Sequence, residues 1–327
     1  MSATSLEIKS TAINFWGKIK KSSSISLIFI LSAMFILMYI VSPPFRSISN
    51  LLSVTKLFVP IAISGIGVCM VIITGGIDLS LGSVYGLAGV ITTLILTKTN
   101  TNAFFSVLLG VGAAALFGLF NGVMIVKVNL PPFIATLASM SIARGLCYVI
   151  TQGYPITGIE SQGFLFIGQG AIAGIPAAVW CMVVVAIVFS IFLNKTVTGR
   201  RIYAVGGNEE ATRISGVNTG RIKLLVYTLC SALAGFAGII TASKLGIGQP
   251  TSGTGFELDA IAAVAIGGAS LAGGAGTVSG TIMGAAIIGI LRNALVLLSV
   301  NAYWQQLIIG FVILIAVAAD QISKRRK

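Results

Sequence analysis

Long apolar runs constrain the fold of this chain more than any other feature. They occur at residues 24–42, 55–74, 82–97, 103–126, 131–151, 176–193, 223–242, 257–273, 279–299 and 303–319. Lipid offers the backbone no hydrogen-bond partner, so an apolar run of about 20 residues crosses a membrane as a helix. Charged residues make up only 9% of the chain, against roughly 25% in soluble domains. The sequence therefore predicts an all-α polytopic membrane protein with about ten transmembrane helices.

The distribution of basic residues predicts the orientation of these helices. Lys9, Lys18, Lys20 and Lys21 precede the first run, and the last four residues are all basic, whereas residues 152–175 contain Glu160 and no Lys or Arg. Because Lys and Arg accumulate on the cytoplasmic side, both termini are predicted to be cytoplasmic. The predicted divisions are a cytoplasmic segment at 1–23, a transmembrane block at 24–193, a cytoplasmic loop at 194–223, a second transmembrane block at 224–319 and a basic tail at 320–327.

Several classes of chemistry lack the residues that they require. The chain has no histidine, and its four cysteines lie in apolar runs without metal-ligand spacing, so zinc sites, disulfide frameworks and histidine-based catalysis are poorly supported. No G-x-x-x-x-G-K-[ST] motif is present, so ATP phosphates are not expected to bind this chain. The net charge of +13 fits the topology signal and lipid headgroups better than nucleic acid. We expect no cofactor, no metal and no catalytic residue.

Two glycine-rich turns are candidates for broken helices. The stretches GGIDLSLG at 75–82 and GGASLAGG at 267–274 share both leading glycines, a leucine and the final glycine. Both fall where an inward-running span turns outward, which is compatible with two parallel pseudo-repeats. Backbone groups freed at membrane depth must face protein or a water-filled cavity, so such turns are natural linings for a transport pathway.

Asp78 lies in the first of these turns and has two possible roles. A carboxylate near the membrane is a functional hypothesis by default, but Asp78 could also cap a helix that begins near Leu79. The pathway or gating candidates are Asp78, Ser80, Asn121, Phe133, Thr136 and Ser270. Arg144 and Arg292 lie inside apolar spans, and we expect each to be paired structurally with a carboxylate or with backbone carbonyls.

The charged segment 194–223 interrupts the apolar sequence and holds six of the 21 Lys and Arg residues. Within it, Asn208 is a good N-cap, Glu209 and Glu210 suit a helix N-terminus, and Gly216 can end the helix. Ala211, Ile214 and Val217 have helical spacing and would form a small apolar face. Such a platform is typically presented to a soluble partner, and the alternative is a solvated helix near lipid headgroups.

Five motifs together resemble the membrane permease subunit of sugar ABC importers, with the ribose permease group as the best match. They are GGIDLSLGS at 75–83, PPFIATLASMSIARGL at 131–146, GRRIYAVGGNEEATRISGV at 199–217, PTSGTGFELDAIAAVAIGGASLAGGAGTVSGT at 250–281 and YWQQLIIGFVILIAVAAD at 303–320. The resemblance covers nearly the whole chain. Arg292, where a polar uncharged residue is usual, and Ala138, where Gly is common, depart from the pattern and leave the particular sugar open.

The resemblance implies an import function with several partners. A separate ABC ATPase subunit would receive a coupling helix formed by Asn208, Glu209, Glu210, Ala211, Arg213, Ile214, Ser215 and Gly216. A soluble sugar-binding protein would deliver a monosaccharide to the outer loops at 152–175 and 243–256. A second copy of the permease would complete the pathway in the cytoplasmic (inner) membrane of a bacterium.

Two other classes of function stay open from the sequence. A secondary transporter or channel for a small polar solute would need a relay of intramembrane acids, and Asp78 is nearly alone. An intramembrane protease would need a nucleophile with a base or a pair of aspartates, and nothing in the sequence places Asp78 beside Asp259.

Overall fold

The computed structural model describes residues 23–99 and 101–325, and these residues are mostly helical. The helices are α1 (Ser23–Val41), α2 (Ile48–Ile73), α3 (Leu81–Lys98), α4 (Ala103–Val126), α5 (Pro132–Thr151), α6 (Gln162–Gln169), α7 (Ala177–Lys195), α8 (Val197–Gly207), α9 (Glu209–Ile214), α10 (Thr219–Leu245), α11 (Phe256–Ile266), α12 (Val278–Leu297) and α13 (Ala302–Arg325). A 3-10 turn occupies Pro43–Arg46, and β1 (Ala171–Ile172) pairs antiparallel with β2 (Ile175–Pro176). The four lysines that precede residue 23 lie outside the described residues.

Seven helices of the described chain are long and apolar enough to cross a membrane, namely α2, α3, α4, α5, α7, α10 and α12. A shorter apolar helix, Ile25–Val41, lies within α1, and α13 coincides with the last predicted span. The prediction of an all-α polytopic membrane protein is confirmed.

The eighth predicted span differs from the structure. Residues 257–273 were expected to form one transmembrane helix, but α11 has 11 residues and is only about 16 Å long. It ends at Gly267, and an irregular segment with left-handed Gly268, Gly273 and Gly274 leads to α12. Glycine tolerates positive φ, so the chain turns inside the bundle. The expectation of a broken helix is confirmed, and that of a complete span here is wrong.

The helix α2 lies at the centre of the bundle. In its most apolar stretch 83% of the residues are buried, whereas the corresponding share is 22% in α4 and in α7. The helices α10 and α12 pack against α2 and are also largely buried. An exposed apolar surface of this extent on α4 and α7 fits a lipid environment.

The two segments predicted as outer loops contact each other. Ile156 and Gly248 exchange backbone hydrogen bonds of 3.0 and 2.9 Å. The Ser243 hydroxyl donates to the Phe164 carbonyl at 2.6 Å and accepts from the Gly168 amide at 2.7 Å. Residues 152–175 and 243–256 therefore build one continuous surface at this end of the bundle.

Candidate functional site

The turn between α2 and α3 holds Asp78 in a fully enclosed position. Its side chain is buried with 1% exposure. The Oδ1 atom accepts a hydrogen bond from the Ser80 amide at 2.9 Å and from the Ser80 hydroxyl at 2.6 Å. The helix begins at Leu81 with Ser80 as its N-cap, two residues later than the sequence suggested. Asp78 therefore stabilises the start of α3 through one carboxylate oxygen.

Asn121 on α4 joins this turn to a second helix. Its Nδ2 donates to the Ser80 hydroxyl oxygen at 2.9 Å, and its side chain is completely buried. Three of the six predicted pathway residues, Asp78, Ser80 and Asn121, thus form one hydrogen-bonded chain. Within the described residues, Asp78 Oδ2, Asn121 Oδ1 and the Ser231 hydroxyl are buried without hydrogen-bond partners. Buried polar atoms without partners are rare in native proteins, so this cluster marks a polar spot in an apolar bundle.

The Asp78 turn lies inside the bundle rather than at its end. Tyr227 donates to the Ile77 carbonyl at 3.3 Å, and Tyr227 lies about 12 Å along α10 from Thr219. Asn121 lies about 8 Å along α4 from its last residue, Val126. Polar groups at such depth in membrane proteins usually face a pathway or one another.

The other three pathway candidates occupy different surroundings. The Thr136 hydroxyl donates to the Pro132 carbonyl of its own helix at 2.8 Å, and Phe133 is 54% exposed on α5. Ser270 lies in the irregular segment between α11 and α12, where its amide donates to the Ala275 carbonyl at 2.8 Å. Phe133 and Thr136 on α5 thus lie apart from the hydrogen-bonded chain that Asp78, Ser80 and Asn121 form.

The charged segment forms two consecutive helices, α8 and α9. The Asn208 side chain accepts from the Ala211 amide at 2.9 Å, which confirms the predicted N-cap of α9. Gly216 follows the helix with φ of +82°, and its amide donates to the Arg213 carbonyl at 3.0 Å. Glycine favours this left-handed position. The predicted start and end of the helix are therefore confirmed.

All eight residues predicted for coupling are exposed, namely Asn208, Glu209, Glu210, Ala211, Arg213, Ile214, Ser215 and Gly216. Ile214 is 78% exposed, which is unusual for a large apolar side chain at a helix end. Val217 lies beyond α9 and packs against the core, so it does not extend the apolar face as expected. Thr212, which the sequence analysis did not select, is the buried anchor of α9. Its hydroxyl donates to the Ala204 and Asn208 carbonyls at 2.8 and 2.7 Å.

Ion pairs fix the charges on α9. Glu209 pairs with Lys223 of α10 at 2.6 Å, and Glu210 pairs with Arg213 within α9 at 2.7 Å. The Glu210 carboxylate raises the pKa of the Arg213 guanidinium above its ordinary value. Exposed pairs of this kind contribute about 0–1 kcal/mol to stability, so their main effect is to set where charge lies on the surface.

The two glycine-rich turns meet beneath the end of α8. Gly206 packs against the Ile73 carbonyl and the Gly274 amide, and Gly273 packs against Gly206 and Gly75. We call the residues Gly75, Gly206, Gly273 and Gly274 the glycine junction. The Gly274 amide donates to the Ile73 carbonyl at 2.9 Å. The last carbonyl of α2 is thereby held by the second turn and covered by α8.

Tyr203 adds a side-chain contact beside the glycine junction. Its hydroxyl donates to the Gly276 carbonyl at 2.8 Å, and burial raises the pKa of Tyr203. Neither Tyr203 nor Gly206 was selected from the sequence. Both belong to the GRRIYAVGG motif, but only the fold reveals that this motif lies against the two turns.

The two intramembrane arginines are paired as predicted. Arg292 forms an ion pair with Asp259 through Nη2, at 2.6 and 2.8 Å from the two carboxylate oxygens. Arg144 donates through Nη1 to the Pro250 and Ser252 carbonyls at 2.5 and 2.8 Å. Charges at membrane depth require such partners.

A bundle of long apolar helices with a buried polar turn, and with an exposed two-helix segment packed against that turn, defines a polytopic membrane protein and is compatible with the membrane component of a transporter. The sequence comparisons identify the kind of transporter to which this chain belongs. The chain belongs to the family described as branched-chain amino acid transport system / permease component, whose profile matches residues 50–317.

Individual relatives within this family are permeases named for particular sugars. The chain is 44% identical over 296 residues to the ribose import permease protein RbsC of Escherichia coli K12, covering 89% of this chain and 92% of that protein. It is 40% identical over 325 residues to RbsC of Bacillus subtilis 168, covering 98% and 99%. The L-arabinose transport system permease protein AraH of E. coli K12 is 36% identical over 304 residues, covering 92% and 91%. No solved structure matches the chain significantly.

These comparisons confirm the predicted resemblance to the ribose permease group of ABC importers. The chain is a multi-pass permease subunit of an ABC importer. Family membership favours this class over a secondary transporter or channel and over an intramembrane protease.

Proposed function

We propose that this chain forms the transmembrane pathway through which an ABC importer carries ribose or a closely related pentose. The observation that carries the proposal is its similarity, at 40–44% identity over 89–98% of the chain, to three ribose import permeases. The family description names branched-chain amino acids, but the arabinose permease AraH, another sugar permease, is also 36% identical over 92% of the chain. Similarity along the whole chain to sugar permeases is more specific than the shared family description.

A separate ATPase subunit would bind the exposed face of α9. Ile214 would be the apolar contact, because it is 78% exposed and apolar side chains of this kind anchor protein interfaces. The paired charges Glu209–Lys223 and Glu210–Arg213 would surround it with a polar rim. The eight exposed residues Asn208, Glu209, Glu210, Ala211, Arg213, Ile214, Ser215 and Gly216 are thus the proposed coupling site.

The glycine junction would transmit the movement. Thr212 ties α9 to the last turn of α8, and Gly206 in that turn packs against Ile73 of α2 and Gly274. The Asp78 turn follows α2 directly. The ATPase can shift the permease between its inward-open and outward-open states only if it binds one state more tightly than the other. The contacts from α9 through α8 and the glycine junction to α2 would connect the ATPase docking site to the buried Asp78 turn.

The opposite end of the bundle would receive a soluble sugar-binding protein. Residues 152–175 and 243–256 form one surface through the Ile156–Gly248 pairing and the Ser243 hydrogen bonds. With α9 on the cytoplasmic side, this surface would face the outside of a bacterial inner membrane, and both termini would be cytoplasmic. A second copy of the chain would complete the pathway, and lipid would cover the remaining apolar surface.

The ATPase contact is tested by replacing Ile214 with aspartate. We expect the Ile214→Asp variant to lose the co-purifying P-loop ATPase and sugar-dependent ATP hydrolysis, because a charge replaces the apolar contact. Ile48→Asp is the matched control, since Ile48 is 77% exposed and lies at the start of α2. Retention of the ATPase by the Ile214→Asp variant, or transport without any ATPase, would contradict the proposal.

Two further changes separate coupling from folding. Glu210→Lys reverses a charge in the proposed rim, and Gly216→Pro places proline at a φ of +82°, where proline cannot lie. We expect both proteins to reach the membrane and to lose sugar-stimulated ATP hydrolysis after reconstitution with the partners. Normal stimulation in both variants would count against α9 as the coupling site.

The substrate is tested by competition in proteoliposomes that contain the reconstituted importer. We expect unlabelled ribose to inhibit uptake of labelled ribose most strongly, arabinose less strongly, and leucine not at all. Competition by leucine at the concentration at which ribose competes would reject the sugar and restore the substrate class in the family description.

A further inference from the structure

A polar groove opens on the surface of the bundle between α3, α5 and the start of α11. Its volume is about 430 Å³, and the polar side chains that line it are Ser83, Ser141, Arg144, Tyr148, Thr254 and Glu257. We call this set the polar groove. Small-ligand sites usually occupy about 300–1,000 Å³, so a monosaccharide has room here.

Arg144 is held rigidly at the wall of the groove. Its Nη1 donates to the Pro250 and Ser252 carbonyls, and its Nη2 lies 3.4 Å from the Gly82 carbonyl. Within residues 23–99 and 101–325, the Arg144 Nε is not a donor in any hydrogen bond found. The backbone carbonyls hold the guanidinium in one position and balance its positive charge. The N–H groups that they do not use remain as hydrogen-bond donors at a fixed place.

The Glu257 carboxylate provides a hydrogen-bond acceptor in the same groove as the Arg144 guanidinium. The described part of the chain contains three ion pairs, and none of them includes Glu257. The side chain lies in the first turn of α11 and is only partly buried, where the helix N-terminus favours a negative charge. The carboxylate also accepts hydrogen bonds from backbone amides at the start of α11 and lies within the field of Arg144, and because a carboxylate has about four acceptor sites, it retains capacity for hydroxyl donors from a ligand.

Two glycines on α3 make room for these charged groups. A Cβ at Gly82 would overlap the Glu257 carboxylate, and a Cβ at Gly86 would lie 3.1 Å from Arg144 Nη1 and closer still to the Ser252 carbonyl. Gly82 and Gly86 are one helical turn apart and share a face of α3. The packing of α3 is thus adapted to bring both charges to the groove.

The depth of the groove excludes a lipid-facing surface. Ser141 lies about 14 Å along α5 from Pro132, near the middle of the helix, and Arg144 lies about 18 Å along it. A guanidinium and a hydroxyl at this depth, with the Glu257 carboxylate lining the same groove, are too costly to face hydrocarbon. The groove must therefore adjoin water, and on an open protomer surface the water lies between this chain and a neighbouring subunit.

We propose that the polar groove is a sugar subsite of the translocation pathway. The inference rests on the proposed function, which makes a pentose the substrate. Glu257 accepts hydrogen bonds from sugar hydroxyls, Arg144 donates to sugar oxygens, and the Tyr148 ring, 43% exposed, covers the apolar face of the sugar. Transport requires binding that is weak enough to release its solute, and a groove that is open at the surface, with hydroxyls, one guanidinium and one carboxylate, suits weak binding.

The position of the groove is tested with a cysteine in place of Ser141. The native Cys69, Cys147 and Cys230 are buried and Cys181 is partly buried. In the reconstituted complex, we expect a membrane-impermeant thiol reagent to label the Ser141→Cys variant and millimolar ribose to slow labelling at least twofold. Ile142→Cys is the control, because Ile142 is 48% exposed on the adjacent face of α5. Absence of labelling at residue 141 would place the groove in lipid and overturn the proposal. Equal labelling and equal ribose protection at residue 142 would show that the water and the sugar are not confined to the groove, which would also overturn it.

The role of Glu257 is tested by adding a second substitution to the Ser141→Cys variant. We expect Glu257→Gln to leave the labelling rate of Ser141→Cys unchanged but to abolish protection by ribose. Uptake should fall roughly tenfold, which corresponds to about 1.4 kcal/mol, while the ATPase still co-purifies. Unchanged protection and uptake in the Glu257→Gln variant would overturn the subsite. Loss of the ATPase from the unmodified chain would instead reject the proposed function.

Discussion

At the scale of single residues, Asp78 divides its carboxylate between two environments. One oxygen accepts two hydrogen bonds from Ser80 at the start of α3. The other is buried without a partner in the described part of the chain, as is the Asn121 carbonyl oxygen. A cap explains the first oxygen, whereas the second has only the weak donor of the nearby Cys230 thiol beside the carboxylate. An unpaired buried acceptor typically costs about 1–3 kcal/mol, so its retention points to a role beyond folding.

Substitutions at Asp78 separate these two roles. Asp78→Asn retains an oxygen for Ser80 and removes the charge, so we expect thermal stability to change by less than about 1 kcal/mol and ribose uptake to be lost. Asp78→Ala removes both hydrogen bonds and should lower stability and uptake together. Stability is measured by thermal unfolding in detergent and uptake in proteoliposomes. Normal uptake in the Asp78→Asn variant would leave Asp78 with the capping role alone.

The sequence indicated which residue types could act at the site, but it did not indicate which of them meet in the folded chain. The Asn208 cap and the Gly216 stop were predictable because both act on residues close in the sequence. Arg144 and Arg292 were predicted to be paired, but Glu257 opposite Arg144 became evident only when residues from three helices met at one groove. Phe133 and Thr136 were selected for their motif, but Phe133 is exposed on α5 and Thr136 bonds to the backbone of its own helix, and how α5 packs against the other helices is a tertiary property that the motif does not encode.

At the scale of elements, the end of α8 is fitted against the end of α2 without space for a side chain. A Cβ at Gly206 would overlap the Ile73 carbonyl, whereas a Cβ at Gly207 would have nothing within 4 Å. Backbone atoms cannot move aside as a flexible side chain can. An added methyl group is therefore tolerated at Gly207 and not at Gly206.

This contrast gives a matched pair of variants. We expect Gly206→Ala to lower stability by roughly 1–3 kcal/mol, as overpacking does, and to reduce sugar-stimulated ATP hydrolysis. Gly207→Ala should retain both properties. Thermal unfolding and ATPase assays of the reconstituted complex measure the two effects. Equal behaviour of the two variants would show that α8 is not held tightly at the glycine junction.

The limits of prediction for elements are visible in α11. Its apolar composition suggested a complete span at 257–273, and hydropathy alone does not register that Gly267, Gly268, Gly273 and Gly274 break the helix. The repeated glycines did predict an interruption. Their contact with Gly206 could not be predicted, because it joins segments that are more than 60 residues apart in the sequence.

At the scale of the whole molecule, the proposed orientation places α9 and the loops at 152–175 on opposite sides of the membrane. In right-side-out vesicles, an impermeant thiol reagent should label Glu160→Cys and should not label Ile214→Cys. In inverted vesicles the pattern should reverse, because positively charged loops remain cytoplasmic. Glu160 is exposed and Ile214 is 78% exposed, so access within the protein does not limit either reaction. Labelling of both residues from one side would refute the orientation.

The position of α2 has a mechanical consequence for the importer. In its most apolar stretch 83% of the residues are buried, and from Val59 to Ile73 every residue is buried, so neighbouring helices surround this part of α2. A force applied at the Ile73 end has little room to bend or tilt the helix and acts mainly along its axis, since close-packed interiors have low compressibility. A short displacement at the Ile73 end would then be carried along the buried part of α2 as far as Pro60, where the helix lacks a backbone hydrogen bond and can bend.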